Sequence, residues 1–346
     1  MSGRAVVVSP APDNPVGGAE RLCADVAGVL GRHGFDVTLV GPRGRGPAWL
    51  DRQGGSFLWQ AASVRRATHA LGQAELVVTC GWLGWPGRAG GRRVHVYVGN
   101  LVRLAPDIGG YWHWRARWGA AGGLAEALSA RGACAVATSE QAADDARRLY
   151  RARIAAVLEP GVDTDLFRPR DRLEARRRLG LAGDGRYALF VGRAEPGKGP
   201  GLAVEASRRA GLTLLATGAR PVAGAIALGL LSRRELAWAY AAADAVVLPT
   251  RYEGFGYVAV ESLACGVPIV TTPTGWARKL ARDVPEYRPF LVPPDPESVT
   301  EALAGVRTAE AETAVELARH HVLAHHTLEA FEKRWTAWLA ESGILP

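Results

Sequence analysis

Two carboxylates, Glu253 and Glu261, stand almost alone in an apolar stretch. Between Gly254 and Ala277 the only charged residue is Glu261, and Glu253 lies just before that window beside Arg251. Carboxylates in apolar surroundings need hydrogen-bonding partners, so their isolation points to chemistry. The run Ala243–Pro249 reads as a buried strand, Tyr252 to Gly256 as a glycine-bracketed turn, and the residues up to Gly266 as a helix leading to a second strand at Pro268–Thr271. In an open parallel sheet, ligands bind in the loop beyond a strand's carboxyl end. Glu253 falls in such a loop and Glu261 about two turns into the helix, so one ligand can meet both.

A second candidate loop, Gly192-Arg193-Ala194-Glu195-Pro196-Gly197-Lys198-Gly199, also follows an apolar strand and nearly spells a phosphate-binding P-loop. Gly199 has no hydroxyl for a magnesium ion and Pro196 removes a backbone donor, which argues against an NTPase. What remains is two cations, Arg193 and Lys198, on one loop that could clamp a diphosphate. Lys198 stands out because the chain has only three lysines, the others being Lys279 and Lys333. Asp163-Thr164-Asp165 has the form of a metal-holding triplet, but near a domain joint it reads better as a turn cap. His321 and His325, four apart on a helix, lack an acidic partner in sequence and read as a solvated face. Tyr111 to Trp118, with Trp82 and Trp85, gathers indoles beside glycine and arginine and suits an acceptor surface, a membrane interface or core packing.

These residues sit in a chain of 346 residues, long enough for two domains, with 48% hydrophobic content and a net charge of +8. The charge favours anionic partners. No apolar run is long enough to cross a bilayer, and the start Met1-Ser2-Gly3-Arg4 lacks a signal-peptide region, so a cytoplasmic protein is expected. Cys23, Cys80, Cys134 and Cys265 are scattered in apolar segments without CxxC spacing and read as buried free thiols. Strand-like runs at Ala5–Ser9, Val37–Val40, Leu76–Thr79, Val94–Val98, Cys134–Thr138 and Ile154–Leu158 alternate with helical segments, and a second series follows at Ala188–Val191, Thr213–Ala216, Ala243–Leu248 and Ile269–Thr271. Alternation of this kind implies parallel sheets. Gly17-Gly18 opens the first helix, where free N–H groups can face an anion.

Taken in order, Glu253-Gly254-Phe255-Gly256 with Glu261, Gly17-Gly18-Ala19-Glu20, Ser139-Glu140, Pro160-Gly161-Val162-Asp163 with Phe167, Gly192-Arg193 with Lys198-Gly199, and Ala264-Cys265-Gly266-Val267-Pro268 resemble the motifs of the GT4-type retaining glycosyltransferases, including their E-x7-E signature. The resemblance implies a GT-B fold: two α/β, doubly wound, Rossmann-like domains facing across a cleft. The expected domains are an acceptor domain over residues 1–165, a nucleotide-sugar domain over 166–325, and a last helix, 326–346, crossing back to the first domain. It implies transfer of a sugar from a nucleotide diphosphate, UDP- or GDP-linked, to a hydroxyl of a small acceptor, without cofactor or metal and without nucleic acid; the compact, arginine-rich chain points to specialised metabolism. A lipid acceptor with membrane association and a silent nucleotide-sugar binding protein are the alternatives.

By the same resemblance Arg193 and Lys198 neutralise the diphosphate, and Glu253 holds donor-sugar hydroxyls. Gly254, Phe255, Gly256 and Tyr257 line the donor with Gly17 and Gly18, Glu261 accepts from the ribose, and Leu230 and Leu231 lie near the base. The family often carries a histidine at a strand end where Val96-Tyr97-Val98-Gly99-Asn100 here ends in asparagine. Asn100, His113, Trp112 and Trp82 are therefore the acceptor-side candidates. The segment from Gly218 to Leu230 is short for the family.

Overall fold

A computed structural model describes residues 3–13, 17–42, 56–84, 91–99 and 122–345. The chain divides into two compact units, residues 1–160 with 331–346, and residues 161–330. Each is an α/β unit around one parallel sheet.

Unit 1 carries a six-stranded sheet in the order β2-β1-β3-β4-β5-β6. Its strands are β1 (Arg4–Val8), β2 (Asp36–Val40), β3 (Leu76–Cys80), β4 (Arg92–Tyr97), β5 (Cys134–Ala137) and β6 (Ile154–Val157), every pairing parallel. The helices are α1 (Gly18–Arg32), α2 (Ser56–Ala70), α3 (122–130) and α4 (Glu140–Tyr150). Alternate residues of β1 serve opposite faces: Ala5 and Val7 pack with Leu22, Val26 and Leu30 of α1, whereas Val6 and Val8 pack with Val64 of α2. A strand buried on both faces favours apolar residues at nearly every position, which is why β1 and β3 appear in the sequence as almost continuous apolar runs.

Unit 2 has a five-stranded parallel sheet in the order β11-β10-β7-β8-β9. The elements are α5 (Arg172–Arg178), β7 (Tyr187–Val191), α6 (Pro200–Arg209), β8 (Thr213–Thr217), β9 (Ile226–Gly229), α7 (Arg233–Ala242), β10 (Ala245–Leu248), α8 (Tyr257–Ala264), β11 (Ile269–Thr271), α9 (Ala277–Asp283), α10 (Pro296–Ala304) and α11 (Ala309–His325). Ser232 and Glu235 form the reciprocal capping box their spacing predicts at the start of α7. The segment Gly218 to Leu230, read as short for the family, contains β9, an edge strand whose residues are mostly exposed. Asp163 does cap a turn, accepting from the Leu166 N–H at 3.0 Å.

The end of the chain belongs to unit 1. The helix α12 (Leu328–Glu341) places Phe331, Trp335, Trp338 and Leu339 on one face, at helical spacing, and all four join the cluster of Ala5, Val7, Leu22 and Val96. Arg32 pairs with Glu332 at 2.6 Å and His33 bonds Thr336 at 2.7 Å on the same contact. Among the described residues no helix is long and apolar enough to cross a membrane.

Candidate functional site

Both sheets contain a point where the chain reverses its direction of winding. In unit 1 the path runs from β1 to β2 on one side and then to β3 on the other; in unit 2 it runs from β7 through β8 to β9 and then to β10 on the opposite side of β7. At such a switch the two following loops diverge and leave a crevice beyond the carboxyl ends of the strands, where ligands of open α/β sheets bind. In unit 2 those two loops are residues 192–199 and 249–256. They are the Arg193/Lys198 loop and the Glu253 turn.

The loops are tied together through main-chain atoms. The Gly197 carbonyl accepts from the Arg251 N–H at 2.8 Å and from the Thr250 hydroxyl at 3.1 Å. Gly199, at φ +66°, lets the next helix pass so close to β10 that a Cβ there would stand 2.6 Å from the Pro249 carbonyl oxygen. This closeness brings Lys198 to Glu253, Nζ to Oε1 at 2.5 Å, with the side chains 22% and 16% exposed. A cation and an anion thus meet, largely buried, at a strand-end crevice.

Around Glu253 the backbone is equally fixed. Gly256 caps α8 at φ +100°, a conformation open to glycine. The Phe255 carbonyl accepts from the Trp276 N–H at 2.7 Å, and Gly275, at φ +59°, has its α-carbon so near that a Cβ would lie 2.5 Å from the same oxygen and 3.1 Å from the Glu253 Cβ. In a trans peptide the carbonyl and the following N–H point to opposite sides. Holding the Phe255 oxygen therefore aims the Gly256 N–H the other way. The sequence offered no sign of this clamp, because Gly275 and Trp276 belong to the next strand's loop.

Other predicted residues lie differently. Arg193 is 77% exposed and its guanidinium meets Glu195 at 3.2 Å, so in this state it stands apart from the Lys198–Glu253 pair. The N–H groups of Glu195, Lys198 and Gly199 bond to carbonyls of their own loop, leaving no P-loop-like cradle of those donors. Glu261 is buried, and its carboxylate accepts from the Tyr240 hydroxyl at 2.9 Å. Leu230, 61% exposed, projects just beyond β9, while Leu231 is half-buried against the core of unit 2. Gly17 and Gly18 begin α1 as expected, but the Glu20 carboxylate folds back over Gly17, in the space a Cβ there would need, so the helix start already faces an anion of its own chain. Asn100, Trp112 and His113 lie outside the described residues; Trp82 lies in a short 3-10 turn, Gly81–Gly84.

The histidine reading needs correction. His321 is largely buried rather than on a solvated face: its ring is 4.7 Å from that of His325 and 6.1 Å from the Trp276 indole, and its Nε2 is 3.9 Å from Asp283. Burial and the neighbouring His325 lower its pKa. His326, fully buried, stacks edge-on against Trp276 at 5.0 Å, which places aromatic packing directly behind the Phe255 turn. A groove of about 400 Å³ opens elsewhere in unit 2, floored by Phe290, Ala302 and Ala311; it contains none of the strand-end residues.

Residues 185–308, which contain both loops, match the family model described as Glycosyl transferases group 1. The D-inositol 3-phosphate glycosyltransferase of Geodermatophilus obscurus is 39% identical over 174 residues, 41% of this chain and 39% of the relative. Its counterpart in Mycobacterium leprae is 37% identical over 165 residues, 40% of this chain and 39% of the relative. The matches thus span about two fifths of those relatives' length. Among solved structures, a sucrose-phosphate synthase from Thermosynechococcus elongatus superposes with a TM-score of 0.81 at 23% identity, covering 99% of this chain and all of the other. Anabaena HepE in complex with UDP-glucose gives 0.73 at 18% identity, covering 98% of this chain. Likeness of this extent establishes the two-sheet GT-B fold class.

Proposed function

We propose, from a second unit whose residues 185–308 match the family model of the glycosyl transferases group 1, that this chain is a retaining glycosyltransferase moving a sugar from a nucleotide diphosphate to a hydroxyl of a small acceptor, without a metal ion. The observation that carries the reading is the Lys198–Glu253 pair at the β7/β10 switch. Breaking the anomeric C–O bond leaves positive charge on the sugar and negative charge on the departing diphosphate. A preorganised cation at the diphosphate lowers that barrier, by about 2.7–4 kcal/mol per donor in comparable sites.

In this account the diphosphate takes Lys198 from Glu253. Glu253, released, accepts hydrogen bonds from the donor sugar, and the Gly256 N–H aimed by Trp276 adds a donor on the same side. Arg193 leaves Glu195 to reach the second phosphate. Glu261, steadied by Tyr240, accepts from the ribose, and the base lies against Leu230. The acceptor hydroxyl attacks from the face the diphosphate leaves, and a phosphate oxygen takes its proton, so the configuration is retained.

The kinship with D-inositol 3-phosphate glycosyltransferases and the likeness to a protein solved with UDP-glucose set the first substrates to try: UDP-sugars, then GDP- and dTDP-sugars, with inositol phosphate heading the acceptors. A thermal-shift screen tests the donor half. A nucleotide sugar at a hundred times its dissociation constant adds about 2.7 kcal/mol of stability, and Lys198→Ala should abolish that gain. A screen with no stabilising donor, or a variant stabilised as strongly as the wild type, contradicts the reading.

A further inference from the structure

The switch crevice of unit 1 holds a feature the transfer reaction does not use. Cys23 in α1 and Cys80 at the end of β3 are both fully or nearly fully buried, and their sulfurs are 3.1 Å apart. The Cys23 thiol also lies 3.6 Å from the carbonyl of Val8, the last residue of β1. β1 and β3 are neighbours, Val8 opposite Thr79, so the pair sits at the carboxyl ends of the two strands that flank the switch. Cys134 belongs to β5 and Cys265 follows α8 in unit 2.

We infer that Cys23 and Cys80 are a redox-active pair, oxidised by a peroxide to a disulfide that fastens α1 to the end of β3. One thiolate attacks the peroxide O–O bond, becoming a sulfenic acid as the first water leaves. The second thiolate attacks that sulfur, the S–S bond forms and a second water leaves. Two thiols and one peroxide thus give one disulfide and two waters, the sulfurs losing two electrons and the peroxide gaining them. A disulfide needs about 2.05 Å between sulfurs, so an approach of about 1 Å closes it. The hydrogen bond with Cys23, and after it burial, hold the Cys80 thiol well above its ordinary range. Because the thiolate is the reactive form, oxidation is slow near neutrality and accelerates with rising pH.

The cross-link joins residues 57 apart and restricts the unfolded chain accordingly. The test uses the whole protein, treated with hydrogen peroxide at mildly alkaline pH, alkylated, and mapped with trypsin without reduction. The expected product links peptide Leu22–Arg32 to peptide Ala67–Arg88, with two thiols consumed and two hydrogens lost in mass. The oxidised protein should melt about 5–15 °C higher, and dithiothreitol should reverse both changes. Cys23→Ser and Cys80→Ser should each abolish the link, whereas Cys134→Ser and Cys265→Ser should retain it. Recovery of both wild-type peptides singly, alkylated or as sulfinic acids, overturns the inference, as does a cross-link through Cys134 or Cys265. Since the wild-type map alone decides this, a serine variant that fails to fold does not leave the matter open.

Discussion

The two units reach the same topological feature and fill it with different chemistry. Between β1 and β3, unit 1 presents two thiols, a main-chain carbonyl and a helix start covered by Glu20; between β7 and β10, unit 2 presents a half-buried lysine and glutamate on loops stitched together by backbone bonds. Topology supplies a crevice in both, and the side chains decide what it does. A charged pair with some exposure can be opened by a charged ligand. A buried thiol pair answers instead to an oxidant and leaves anion binding to other groups.

That contrast can be broken first at the level of stability. Asp244 is buried in unit 2, bridging Arg176 at 3.0 Å and Arg172 at 3.1 Å while accepting from the Tyr187 N–H at 2.8 Å. Asp244→Ala strands the buried Arg176 and should cost about 3–5 kcal/mol. Trp335→Ala, which empties the α12 contact, should cost a similar ~3–5 kcal/mol in unit 1. Hydrogen exchange should show each loss confined to its own unit. A loss spread evenly over both would mean that the units do not fold separately.

A smaller effect separates the site from its scaffold. Gly275→Ala forces a side chain into φ +59° and against the Phe255 carbonyl, costing about 1–3 kcal/mol. The same change tilts the Phe255–Gly256 peptide, so kcat should fall further than KM rises. Equal change in both would leave the clamp a merely structural one.

Unit 1 carries its own acid sensitivity. Burial, with Arg93 nearby, lowers the His95 pKa from 6.5 to about 3. Below pH 6.5 the unfolded chain binds a proton the folded one refuses, so stability falls as pH drops from about 6.5 toward 3, by about 2 kcal/mol at pH 5. Urea unfolding of His95→Phe should lack that slope. The smallest expected change is Arg193→Ala: an exposed group, it should raise the donor KM about threefold and leave stability unaltered.

Much of the architecture was legible because parallel strands buried on both faces have a plain signature, as in Leu76 to Cys80. β9 escaped because Ile226–Gly229 is a short edge strand with little to bury. The Glu253 turn was legible from its glycines and isolated charge. Its pairing with Lys198, 55 residues away, depends on β7 and β10 being neighbours, as the thiol pair depends on β1 beside β3. Neither adjacency is written in local pattern. His321 was misread because helical spacing alone does not reveal that Trp276 and Asp283 cover that face.

The most direct measurement is steady-state transfer by wild type, Lys198→Ala, Glu253→Ala and Cys23→Ser, with whichever nucleotide sugar stabilises the protein. The account predicts that kcat falls about 10²–10³-fold in the first two variants and stays within about threefold of wild type in the third. Undiminished transfer by Lys198→Ala and Glu253→Ala, or an equal collapse in Cys23→Ser, would contradict the assignment of the reaction to the β7/β10 crevice.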